Sequence, residues 1–191
     1  MKDAHTMAEI DVRVQEPQFD VGGEMAAFAT GPTDIGAVAS FVGLVRGKDG
    51  AENPEPGGLA PEVHAPEIHA PEIYAMTLEH YPGMTEKAIT AIAHEAADRW
   101  PELRRATVIH RYGRMLPGEP IVLVLTASPH RDVAFDACRF LMDWLKTKAP
   151  FWKLEETPSG EHWVDARNAD DEAAARWNTA RWNTNANERN G

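Results

Sequence analysis

The chain has 191 residues, a single cysteine and a formal net charge of −11 at neutral pH. That length suits one ordinary domain whose core is large enough to need no covalent staples. The lone cysteine excludes an internal disulfide and makes a reducing compartment the default. The acidic balance argues against a general nucleic-acid or membrane-surface role. No zinc ligand set, membrane-length apolar run or basic-then-apolar leader is visible. The expectation is therefore a cytoplasmic protein with no metal, no cofactor, no nucleic acid and no membrane among its partners.

The charge is unevenly spread. Between Arg99 and Lys153 ten basic residues face five acidic ones, a local balance of +5 that leaves −16 on the rest. A basic island in an acidic protein suits a small anionic ligand better than a long polyanion.

In chain order, Ile10, Val12 and Val14 alternate over residues 9–14, which predicts a first strand ending near Pro17. Asp20 is placed to cap a short helix through Met25 and Phe28, and Gly31-Pro32 turns the chain. Residues 35–46 predict a long strand whose two glycines signal a bulge or a close backbone approach. Arg46 stands where that strand gives way to a loop, and such a residue is as readily a solvated edge charge as a ligand group. Residues 47–72 differ in character. They carry a pentad repeat, Ala60-Pro-Glu-Val-His64, Ala65-Pro-Glu-Ile-His69 and Ala70-Pro-Glu-Ile-Tyr74. Its regular prolines preclude helix, so it reads as a mobile, solvated insertion rather than a metal site built on His64 and His69.

A strand is predicted over 73–81. A helix capped by Thr85 follows, with Ile89, Ile92, Ala93, Ala96 and Trp100 on one face. Strands are predicted over 105–112 and 121–125, the first alternating Ala106, Val108 and His110 against Thr107, Ile109 and Arg111. His110 in that setting reads as structural. Ser128-Pro129 predicts a helix start, with Ser128 as N-cap and Pro129 at the first helical position. That arrangement puts His130 and Arg131 in the first turn, where free backbone N–H groups, the helix dipole and the guanidinium fork favour an anion such as phosphate. The alternative is an ordinary capping turn with an exposed arginine.

The helix continues through Ala134, Ala137, Cys138, Leu141 and Leu145 and must stop at Pro150. Cys138 on its apolar face reads as a buried, inert thiol. Residues 151–155 then predict a short strand. This break lets Lys146, ending a helix, and Lys153, on the next strand, face one space. Two solvated surface lysines are the plain reading, whereas two ammonium groups brought that close call for an anion between them. A turn at 157–160, a short helix over 170–177 and a polar, disordered tail over 178–191 complete the chain. The tail repeats Arg-Trp-Asn-Thr, and its tryptophans could dock on a neighbouring molecule. Residues 1–177 read as a single domain.

Taken together, Phe41-Val-Gly-Leu-Val-Arg46, Leu78-Glu-His-Tyr-Pro-Gly-Met84, His110-Arg-Tyr-Gly113, Ala127-Ser-Pro-His-Arg131 and Leu145-Lys-Thr-Lys-Ala-Pro-Phe-Trp-Lys153 resemble the large, catalytic subunit of molybdopterin synthase. The resemblance runs in order over about residues 8–177. It implies an α+β fold of the α/β-hammerhead type, with an antiparallel sheet and packed helices. It also implies a homodimer within a heterotetramer, in which each large subunit binds a small ubiquitin-like sulfur carrier ending in a Gly-Gly thiocarboxylate. The implied reaction transfers two sulfurs to cyclic pyranopterin monophosphate, a small anionic pterin, and makes the dithiolene of molybdopterin. By position, Lys146 matches the essential lysine and Lys153 the second active-site lysine. Leu44, Val45 and Arg46, His130 and Arg131, Leu154 and Glu155, and Arg167 match the substrate pocket. Leu44 stands where some members carry lysine, and the 47–72 insertion is longer than the resemblance leads one to expect.

Two other classes compete on the residues alone, a lysine-dependent Schiff-base enzyme and a non-catalytic anion-binding partner. Helix geometry adds one expectation of its own. Sixteen residues between His130 and Lys146, at about 1.5 Å each, put the two backbones roughly 24 Å apart. With no glycine or proline between Asp132 and Thr147 to break the helix, both can serve one small substrate only if they come from two chains of a two-fold dimer.

Overall fold

A computed structural model describes residues 7–47, 73–164 and 177. Over these residues three helices and two four-stranded sheets form an α+β fold, as expected. The first sheet has the order β1-β4-β6-β2 and comprises β1 (Glu9–Gln15), β4 (Arg105–Arg111), β6 (Pro120–Ser128) and β2 (Ala37–Leu44). Alternation gives it two buried faces. Val108, Val122 and Val124 point to the helices α2 (Met84–Arg99) and α3 (Arg131–Lys148), whereas Ile109, Leu123, Leu125 and Ala127 pack with Phe28 of α1 (Val21–Ala29). The second sheet has the order β5-β3-β7-β8, with β5 (Gly113–Met115), β3 (Ala75–His80), β7 (Phe151–Thr157) and β8 (Gly160–Val164). A third cluster of Val45, Met76, Leu78 and Met115 joins the end of β2 to this second sheet.

The first sheet is not wholly antiparallel. β1 runs parallel to β4, with Val12 opposite Val108, because the chain between them crosses the sheet instead of turning back as a hairpin. Both glycines of the strand predicted over 35–46, Gly36 just before β2 and Gly43 within it, do what was expected of them. A Cβ on Gly36 would stand 2.4 Å from the Pro129 carbonyl oxygen, and the β2–β6 register shifts at Gly43/Leu44.

Two helix starts differ from expectation. β6 stays paired through Ser128, opposite Ala37, so α3 begins three residues later than Ser128 and His130 is its N-cap. Ser128 spends its hydroxyl on the His130 carbonyl instead of on helix N–H groups. At α2 the cap is Gly83, at φ +79°, whose N–H donates to the Glu86 carboxylate at 2.6 Å. Thr85 is fully buried, with its hydroxyl within hydrogen-bonding reach of the carbonyls of Tyr81 (3.1 Å) and Pro150 (3.4 Å). It therefore ties the start of α2 to the break after α3.

Cys138 is buried, and burial pushes its thiol pKa up to about 11, in keeping with an inert role. Trp177 docks on its own chain. Its indole N–H donates to Asp143 at 2.8 Å, its carbonyl accepts from Arg99 at 3.0 Å, and its ring lies edge-on to Trp100 and Phe140. The 48–72 part of the expected insertion, all of the expected 170–177 helix but Trp177, and the 178–191 tail lie outside the described residues. Among the described residues no helix is long and apolar enough to cross a membrane, and no cluster of three metal-ligating side chains occurs.

Candidate active site

The end of β2, the end of α3 and the start of β7 surround a cleft of about 780 Å³. Each wall has a local cause. The register shift at Gly43/Leu44 turns β2 outward, so Leu44, Val45 and Arg46 all reach the cleft. Pro150 stops α3, which leaves Lys146 in the last helical turn, exposed on the rim. On β7, Lys153 and Glu155 share one face by strand alternation, and that face is the one turned to the cleft.

The charges in this cleft are arranged rather than merely accumulated. Lys153 donates to Glu155 at 2.6 Å, and the Glu155 carboxylate is buried. Arg46 and Lys146 stand on the same walls. Arg46, Lys146 and Lys153, beside the carboxylate of Glu155, give the lining of the cleft a cationic character suited to a small anion. In a partly desolvated cleft such screening is worth several kcal/mol, because like charges a few ångströms apart repel strongly at low dielectric.

The floor is apolar and aromatic. Phe151 stacks on the His110 imidazole, with ring centres 3.9 Å apart and planes 19° from parallel. The His110 Nδ1 lies 2.9 Å from the Arg111 carbonyl oxygen. Burial holds the His110 pKa down to about 4, with the neighbouring His80 a smaller contribution of the same sign. His110 also lines the cleft. The structural reading of His110 fits its stack and its hydrogen bond, and its strand face, shared with Ala106 and Val108, already requires the ring to meet something other than solvent.

Of the ten residues singled out in the sequence, six meet in this cleft: Leu44, Val45, Arg46, Lys146, Lys153 and Glu155. Leu154 points to the other side of β7, opposite Trp163 of β8. His130 and Arg131 sit at the far end of α3, which runs unbroken from Arg131 to Lys148. The Arg131 side chain is 84% exposed and its nearest acid is Asp132 at 3.7 Å. Arg167 lies outside the described residues.

Known proteins agree with this architecture. Residues 14–148 match the family described as MoaE protein. The molybdopterin synthase catalytic subunit of Pseudomonas aeruginosa is 51% identical over 166 residues, covering 87% of this chain and 97% of that protein. A solved structure, the molybdopterin biosynthesis MoaE protein of Burkholderia ambifaria MC40-6, superposes with a TM-score of 0.67 at 47% identity, covering 91% of this chain and 99% of that one. The fold is shared more distantly with a solved protein–protein complex of subunits 1 and 2 of the molybdopterin-converting factor from Helicobacter pylori. There the TM-score is 0.60 at 18% identity, covering 82% of this chain and 91% of that one. The chain belongs to the MoaE family, the catalytic subunits of the sulfurtransferase molybdopterin synthase.

Proposed function

We propose that Lys146 and Lys153 carry the transfer of sulfur from the C-terminal thiocarboxylate of a small ubiquitin-like subunit to cyclic pyranopterin monophosphate. The observation that carries this reading is the convergence of Lys146, Lys153 and Arg46 on one cleft, with Glu155 fixing the position of Lys153. The substrate's cyclic phosphate and the carrier's thiocarboxylate are both anions. A carbon–sulfur bond forms only if they are held together, and the cationic lining offsets the repulsion. A Gly-Gly tail suits a narrow approach because it adds no side-chain bulk. Leu44 and Val45 shape the wall beside Arg46, and with leucine at 44 the ligand contact there falls to the backbone.

Residues 1–177 act as one catalytic domain of a cytoplasmic enzyme, and two such chains form a homodimer within a heterotetramer. His130 and Arg131 then serve the cleft of the partner copy, since α3 holds them roughly 24 Å from Lys146 of their own chain. Arg167 completes that substrate-binding set, to which Leu154, its side chain turned away from the cleft, contributes through its backbone.

Reconstitution tests this reading. The protein, a thiocarboxylated small subunit and cyclic pyranopterin monophosphate should yield molybdopterin, and a small subunit lengthened by one residue beyond its last glycine should bind without delivering sulfur. Absence of product with the intact carrier, or a borohydride-trapped adduct on Lys146, would sink it. A second experiment tests the composite site. Mixing inactive Lys146→Ala and inactive Arg131→Ala subunits should restore roughly a quarter of wild-type activity, because random exchange makes half the dimers mixed and each mixed dimer has one intact site of two. No recovery despite demonstrated exchange would return the site to a single chain.

A further inference from the structure

The cleft is rich in donors. Arg46, Lys146 and Lys153 offer only N–H groups, and the Glu155 carboxylate is already engaged by Lys153. His110 is the exception among the side chains at the floor. The Arg111 carbonyl can only accept, so the proton of the neutral imidazole sits on Nδ1, 2.9 Å away, and Nε2 carries a lone pair. No described residue hydrogen-bonds to Nε2. The stack on Phe151 fixes the plane of the ring. Phe151 is itself held by the Pro150 break and by its register opposite His80. Burial keeps the ring uncharged, against the smaller opposing effect of the hydrogen bond to Arg111, and nearby His80 acts in the same direction as burial. A group so weakly basic is a poor proton acceptor at neutral pH but remains a good hydrogen-bond acceptor.

We propose that His110 is a specificity-determining residue of this cleft, whose Nε2 accepts a hydrogen bond from an uncharged N–H or O–H donor on the ring system of the anionic substrate while Arg46 and the lysines hold its phosphate. This inference rests on the functional reading above and adds to it the means by which a pterin phosphate is told from other phosphates. An unpaired acceptor at the floor penalises any ligand that brings no donor to it, and that penalty is the source of discrimination.

The test compares two probes, cyclic pyranopterin monophosphate and inorganic phosphate, titrated calorimetrically into wild type, His110→Phe and His110→Gln. Phenylalanine keeps a ring against Phe151 and removes the lone pair, whereas glutamine restores an acceptor. His110→Phe should weaken the pterin about tenfold, the equivalent of one hydrogen bond, and leave inorganic phosphate unchanged. His110→Gln should recover most of the loss. In the wild type, the 15N resonance of His110 Nε2 should move when the pterin binds and stay in place with inorganic phosphate, a readout that needs no variant to fold. Equal losses for both probes, or an unmoved Nε2 resonance in the pterin complex, would overturn the assignment. A wild-type protein that binds phosphate but not the pterin would overturn the functional reading itself.

Discussion

At its C-terminal end α3 delivers Lys146 to a cleft whose charges are already arranged around it. At its N-terminal end the same helix delivers His130 and Arg131 to solvent. Both ends carry residues suited to an anion, but their surroundings differ. The C-terminal end is fixed from several sides. Trp177 bonds to Asp143 one turn before Lys146, Pro150 stops the helix, and Thr85 reaches the Pro150 carbonyl from α2. The N-terminal end is fixed mainly by backbone, through the Gly36 N–H to the Ser128 carbonyl at 3.1 Å and the close passage of Gly36 past Pro129. The contrast teaches that residue type alone does not make a site. One end is furnished by its own chain, and the other is open to solvent, as the proposed two-chain site requires.

Three substitutions sharpen or break that comparison. Lys146→Ala has the largest expected effect, a fall of at least about a thousandfold in molybdopterin formation with small-subunit binding intact, because it removes preorganised charge at the reacting centre. Near-normal single-turnover rates would remove the C-terminal end from the mechanism. Trp177→Ala empties a socket in which the side chain is 1% exposed, and should cost about 3–5 kcal/mol in denaturant unfolding. Amide exchange in that variant should quicken around Asp143 and Lys146 more than around Arg131, and uniform quickening would show that both ends are held alike. Gly36→Ala should cost about 1–3 kcal/mol, since the new methyl meets a backbone carbonyl that must move. Its phosphate affinity at the Lys146 cleft should stay within about twofold of wild type if the two ends are independent.

Much of this was legible in the sequence, for reasons that vary by element. The helices α2 and α3 announce themselves by apolar periodicity, and the meeting of Lys146 with Lys153 follows from one proline between a helix and a strand. What escaped depends on partners distant in the chain. Ser128 has the side chain of an N-cap, but its backbone is claimed by Ala37 of β2. Thr85 has the same chemistry and is buried against Tyr81 and Pro150. β5 is three residues long and opens at Gly113 with φ +81°, too short to display a period. The parallel pairing of β1 with β4 leaves no periodic trace, because alternation is the same in either direction. The strand face of His110 is legible from alternation, but the orientation of its ring depends on Phe151, forty-one positions later.

The docking of Trp177 also sets a sequence in time. The socket between α2 and α3 is lined by Trp100 and Phe140, whose own segments are synthesised long before residue 177. Until that residue leaves the ribosome, the helical face of the first sheet keeps an open aromatic seam, even though every strand of both sheets has been made. A released chain truncated after β8 would therefore hold every strand of both sheets with this seam uncovered, a state open to chaperone capture or to mispairing with a second chain. Among the described residues it is the Trp177 indole that covers this seam, so the last described residue of the chain is also the one that seals its helical layer.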